Sequence, residues 1–195
     1  MNKYRPLPLI LSVTVICFGC VAYAQIREPA DPQKLRELCE TILCRETLSV
    51  RLMLKDGKPF EMKFDIPVPI VQNNWVSVFP GDTLFIEADV QDNRLVNLRA
   101  VSQNKNPEKT LELRFWQEAG KLNMFLFVKN PFPKLVKYHA VMMLPAGDQM
   151  YKTSSCPVLS QGRGAYELWP HPIFQLTLFD LRLVDEQKDG TRCEF

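Results

Sequence analysis

Histidine is almost absent from this chain. Only His139 and His171 occur in 195 residues, which leaves few options for acid–base catalysis. A Ser-His-Asp arrangement would have to recruit one of the two. No Gly-x-Ser-x-Gly turn presents a serine for it, and Ser154, Ser155 and Ser160 lie in a stretch with no such pattern. An excess of charge of one sign is also missing. The chain has 24 Lys and Arg against 22 Asp and Glu. Lys3 and Arg5 are two of those bases, and no acid precedes Gln25, so the chain from Gln25 onward holds 22 of each. No basic stripe is left to follow a phosphate backbone, which argues against nucleic acid as a partner. Asn-x-Ser/Thr sequons are absent too.

Long apolar runs are lacking except at the start. Leu9–Val21 spans 13 residues, short of the roughly 20 needed to cross a bilayer. Lys3 and Arg5 precede this run, and Ala22-Tyr23-Ala24 follows it as a small-x-small cleavage pattern. Residues 1–24 therefore read as an export signal, with residues 25–195 as one domain. A competing reading makes Cys20, after Cys17-Phe18-Gly19, the acceptor of a lipid anchor. The mature chain would then be membrane-tethered.

Six cysteines occur, and Cys17 and Cys20 belong to the signal. Cys39, Cys44, Cys156 and Cys193 remain. An even number in an exported chain predicts two disulfides. Cys39–Cys44 with Cys156–Cys193 is the favoured pairing, under one geometric condition. Residues five apart in a regular helix are about 8.6 Å apart, beyond the roughly 7 Å that a disulfide bridges. The helix must therefore stop before Cys44; otherwise both cysteines pair with Cys156 and Cys193.

One helix is predicted near residues 32–43. Asp31 caps it, Pro32 suits its first turn, and Leu35, Leu38, Cys39, Ile42 and Leu43 share a face. From Thr47 the apolar period becomes two. Leu48, Val50, Leu52 and Leu54 alternate, Asp56-Gly57 turns, and Phe60, Met62, Phe64 and Ile66 alternate back. Further strands are expected at 75–79, near 84–90, 95–101, 111–115, 122–128 and 135–144, and at 150–153. Residues 165–169 read as a short edge strand, because Pro170 and Pro172 forbid continuous central pairing. Residues 173–184 are apolar on both faces and read as central. Their apolar phase shifts near Phe179-Asp180, which predicts a bulge. About nine or ten strands with one short helix predict an all-β antiparallel sandwich, Ig-like or jelly-roll-like.

The segment Tyr166-Glu167-Leu168-Trp169-Pro170-His171-Pro172 is the candidate functional surface. Tyr166, Glu167, Trp169 and His171 bring aromatic, acidic and imidazole groups beside two rigid prolines, a platform for a sugar ring or a peptide. The bland alternative places Tyr166 and Trp169 over one end of the core. Trp75 and Trp116 read as core or sheet-face residues. His139, Met142 and Met143 invite a copper reading, yet on a strand Met142 points away from the other two. Cys156 and His171 lack a following methionine for an axial ligand.

These features predict an exported, non-catalytic binding or interaction protein of a bacterial envelope. An envelope protein or a glycan is the expected partner, and the membrane only if Cys20 is lipidated. No metal or cofactor is expected. Two alternatives stand beside this expectation: a periplasmic hydrolase or carbohydrate-active enzyme using His171 and Glu167, and a copper handler.

Overall fold

The computed structural model describes residues 31–145, 147–189 and 192–194. The export signal, its cleavage pattern and Cys20 lie outside the described residues. Helix α1 spans Pro32–Cys39, and the Asp31 carboxylate accepts from the Gln33 N–H at 2.9 Å. The chain turns at Glu40 and Thr41, so the geometric condition on Cys44 is met. Cys39 and Cys44 are bridged with their Cα atoms 5.6 Å apart, and Cys156 is bridged to Cys193. Leu35 and Leu38 are only half-buried, so the disulfide does much of the work of tethering this short helix.

Strands follow in the order β1 (Cys44–Arg45), β2 (Leu48–Met53), β3 (Pro59–Phe64), β4 (Val68–Pro69), β5 (Val71–Gln72), β6 (Trp75–Val78) and β7 (Thr83–Gln91). Then come β8 (Arg94–Val101), β9 (Thr110–Gln117), β10 (Met124–Lys129), β11 (Leu135–Met143), β12 (Met150–Thr153), β13 (Gly164–Trp169) and β14 (Gln175–Val184), and a short helix α2 (Glu186–Asp189). The described strands outnumber the expected nine or ten chiefly because β1, β4 and β5 are two residues long. Two residues are too few for an alternation to register.

All pairings are antiparallel. The main sheet runs β12-β11-β14-β8-β7-β9-β10-β13, and β6 and β5 branch from β14. Strand β14 is central, as its apolar faces imply. Its first half pairs β6 through Leu176–Leu178, and its second half meets β8 at Arg182. The partner changes where the strand bulges. Lys137 faces Arg182 and His139 faces Phe179, so β14 holds one extra residue there, and Asp180 has φ 50°. A second bulge on β8 places Asn97 at φ 51° opposite Ala88. Bulges bend and twist a strand, which lets one path of strands fold over on itself.

The two ends of that path meet through side chains. Trp169 of β13 donates its indole N–H to Thr153 Oγ1 of β12 at 2.6 Å. Tyr138 of β11 donates to Glu167 of β13 at 3.3 Å. The core lies between the layers, with Leu111, Leu113, Phe115, Met124, Leu126, Tyr138, Leu176 and Leu178 almost wholly buried. The β2–β3 hairpin packs against this core from outside the main sheet. Leu48, Val50 and Leu52 are buried, and Phe64 stacks on Phe174 with ring centres 6.1 Å apart. Met62 stays exposed, so the inward row expected on β3 is only partly inward.

Candidate functional site

Strand β13 takes the predicted segment apart by simple alternation. Successive side chains of a strand point to opposite faces. Tyr166 and Leu168 point outward and are 66% and 56% exposed, while Glu167 and Trp169 are each 7% exposed. The Trp169 ring lies edge-on to Phe115, with centres 6.4 Å apart. The Glu167 carboxylate accepts from the Cys156 backbone N–H and from the Tyr138 hydroxyl. Burial holds its proton above the usual carboxylate range against the lowering effect of those two donors,. His171 is half-buried beyond Pro170, with Nδ1 3.3 Å from the Pro172 carbonyl oxygen. Of the four predicted residues, Tyr166 alone presents a large open surface.

Tyr166 joins a group that the sequence reading did not assemble. The antiparallel register sets Phe127 beside both Arg114 of β9 and Tyr166 of β13. One step along, Phe125 sits beside Trp116 and Leu168. Lys129 likewise sits between Glu112 and Gly164. Nine residues thus form three cross-strand rows on one outward face. Trp116 stacks on Phe125 at 5.5 Å and 15°, and Tyr166 meets Trp116 nearly at right angles and Phe127 at 4.9 Å. Offset-stacked and edge-on contacts of this kind suit the ring quadrupoles.

The polar end of the face is equally organised. Arg114 donates through Nε to Glu112 Oε1 at 2.7 Å and also through Nη2. Its guanidinium carbon lies 5.9 Å from the Phe127 ring centre, within reach of a cation–π contact. Gly164 explains how the Phe127 ring finds room. A Cβ at that position would lie 2.4 and 2.6 Å from two Phe127 ring carbons, so only glycine lets the ring lean across β13. Between these groups runs a groove of about 300 Å³, lined by Glu112, Arg114, Trp116, Phe127, Lys129, Gly162 and Tyr166.

The signal for this face was present in β10. Met124, Leu126 and Val128 are its buried row, so Phe125 and Phe127 must face outward. Two phenylalanines on the solvent side of a strand are the anomaly to follow. Their partners come from residues tens of positions away, which no local pattern supplies.

Other clusters have structural partners. Glu87 is 4% exposed and accepts from Asn106 Nδ2 at 2.6 Å and from Arg99. These bonds, the Asn106 one foremost, hold its carboxyl below the usual range despite burial. It lines an open hollow of about 370 Å³ with Leu43 and the 100–106 segment. His139 Nε2 lies 3.6 Å from Asp180 Oδ2, and Asp180 also binds Arg94 at 2.6 Å and Arg182 at 3.2 Å. Met142 and Met143 pack partly against the core. Among the described residues, no three His, Cys, Asp or Glu side chains converge as a metal site.

Compared with known proteins, the chain matches no family model, no curated sequence and no solved structure. Two disulfides suit an oxidising compartment outside the cytoplasm,. Among the described residues, no helix is long and apolar enough to cross a membrane.

Proposed function

We propose that this chain is an exported, non-catalytic binding protein of a bacterial envelope, and that it binds through the outer face of β9, β10 and β13. It resides in the periplasm or is secreted after cleavage following Ala24; lipidation at Cys20 is the alternative route to the same compartment. The observation that carries the reading is the outward aromatic set of Trp116, Phe125, Phe127 and Tyr166, continued by Leu168. Folding gains nothing from leaving Tyr166 and Leu168 more than half exposed. Contiguous exposed apolar surface with a polar rim marks an interaction site. The enzyme alternative draws little support from the geometry. Glu167 is turned into the core and committed to Cys156 and Tyr138, so it is poorly placed to act with His171 on a substrate in solvent.

The test uses the processed protein recovered from cells expressing the full chain. Wild type and Tyr166→Ala/Leu168→Ser are immobilised and exposed to envelope extract, with circular dichroism confirming that both are folded. Molecules retained by wild type and lost by the double variant support the reading. The same set retained by both would sink it, as would retention of nothing by wild type.

A further inference from the structure

We infer that the ligand of the β9–β10–β13 face is an acidic glycan, an inference that rests on the binding reading above and adds the chemistry of the ligand. A sugar ring needs two things from a protein: a flat aromatic surface for its C–H face, and forked polar groups for its hydroxyls. This face supplies both within one groove. Tyr166, Trp116 and Phe127 provide ring surface, and Glu112 and Arg114 provide an acceptor and a donor fork side by side. The Nε and Nη2 donors of Arg114 serve Glu112, which leaves Nη1 to reach a ligand.

Size points the same way. The groove, at about 300 Å³, sits at the lower end of the range for small-molecule sites. A folded protein partner would bury about 800 Å² of surface on each side and would have to extend well beyond the groove. One or two sugar units match its scale.

Charge narrows the class. The charged groups lining the groove are Glu112, Arg114 and Lys129. Glu112 offsets one of the two cations, so the lining carries one net positive charge. A carboxylate or sulfate on the sugar would be met by Lys129 and by the free end of the Arg114 fork. Gly162 keeps one margin of the groove low. A Cβ at Gly162 would meet nothing within 4 Å, whereas the space above Gly164 is taken by the Phe127 ring.

The experiment titrates the processed protein, recovered from full-chain expression, with α-1,4-linked tetragalacturonate and with its neutral tetragalactose counterpart. Tryptophan fluorescence at low salt is the readout. In parallel, an array of neutral, uronic and sulfated oligosaccharides is probed with wild type, Tyr166→Ala and Arg114→Gln. The expected result is binding of acidic members over neutral ones. Tyr166→Ala should weaken binding about tenfold by removing the ring face, and Arg114→Gln should reduce the preference for acidic members. A blank array and flat titrations overturn the inference, and so does saccharide binding that Tyr166→Ala leaves unchanged. A photo-crosslinking residue at position 168 separates the two levels. Capture of a protein together with a blank array keeps the binding reading and removes the glycan; nothing captured and a blank array remove both.

Discussion

Glu167 shows what a single alternating position can decide. Its neighbours Tyr166 and Leu168 face solvent, while its own carboxylate sits in the core on two hydrogen bonds. Burial raises its pKa, so the folded state holds this proton more tightly than the unfolded chain does. The stabilisation is therefore complete below the unfolded carboxylate value, about 4.3, and is lost as pH rises through the raised folded value. Glu194 slopes the other way. Hydrogen bonds from Lys137 and Arg182 lower its pKa, so its contribution is present above the unfolded value and is lost on acidification. Glu167→Gln keeps an acceptor for Cys156 and carries no charge. Urea unfolding midpoints should show this variant more stable than wild type at pH 8, with the gap closing towards pH 4. A gap that stays constant with pH would show that Glu167 does not titrate across this range.

At the scale of elements, one of the shortest strands has one of the strongest anchors. Strand β1 is two residues long, yet Arg45 reaches from it to Asp82 through Nε at 3.1 Å and Nη2 at 2.5 Å. The same guanidinium donates to the Ser77 carbonyl at 2.8 Å and lies over the Phe79 ring. Both charged side chains are largely buried, at 8% and 13% exposure. Removing one partner of such a pair leaves the other charge in a poorly solvated site. Arg45→Met should cost about 3–5 kcal/mol in guanidinium unfolding. A loss below about 1 kcal/mol would class the pair with surface salt bridges. Period-two patterning made the longer strands legible, and the phase slip in residues 173–184 located the β14 bulge. The pairing of β1 with β4 was not legible, because both strands are too short to alternate, and neither was the Arg45 anchor, because it spans 37 positions.

The whole molecule is closed by its tail. Cys193 is bridged to Cys156, and Glu194 exchanges backbone hydrogen bonds with Ser155 at 2.8 Å each. Its carboxylate also contacts Lys137 and Arg182 of the core sheet. The polar run after Val184 would have little hydrophobic reason to dock without that bridge. The two disulfides close loops of different length, 5 and 37 residues. Loop entropy then favours the longer one, at about 4 kcal/mol against about 2 kcal/mol. Cys156→Ser/Cys193→Ser should therefore destabilise more than Cys39→Ser/Cys44→Ser in denaturant unfolding. The reverse order would place the chief role of disulfides at the N-terminal helix.

By itself the sequence determined the all-β class, most strand positions and most of the inward rows, and it favoured the cysteine pairing on the condition that the helix stops before Cys44. Each of these is set by neighbours in the chain: alternation for strands, turn residues for hairpins, and loop reach for Cys39 with Cys44. It also named Tyr166, the most exposed ring of the proposed site. Only the tertiary structure decided what stands beside that ring. Register placed Phe127 between Tyr166 and Arg114, and Phe125 between Trp116 and Leu168. It also sent Glu167 and Trp169 inward, where the folded-over sheet supplies Tyr138 and Thr153 as partners. A site assembled across three strands is a property of their pairing, and pairing is fixed by what the whole core must bury.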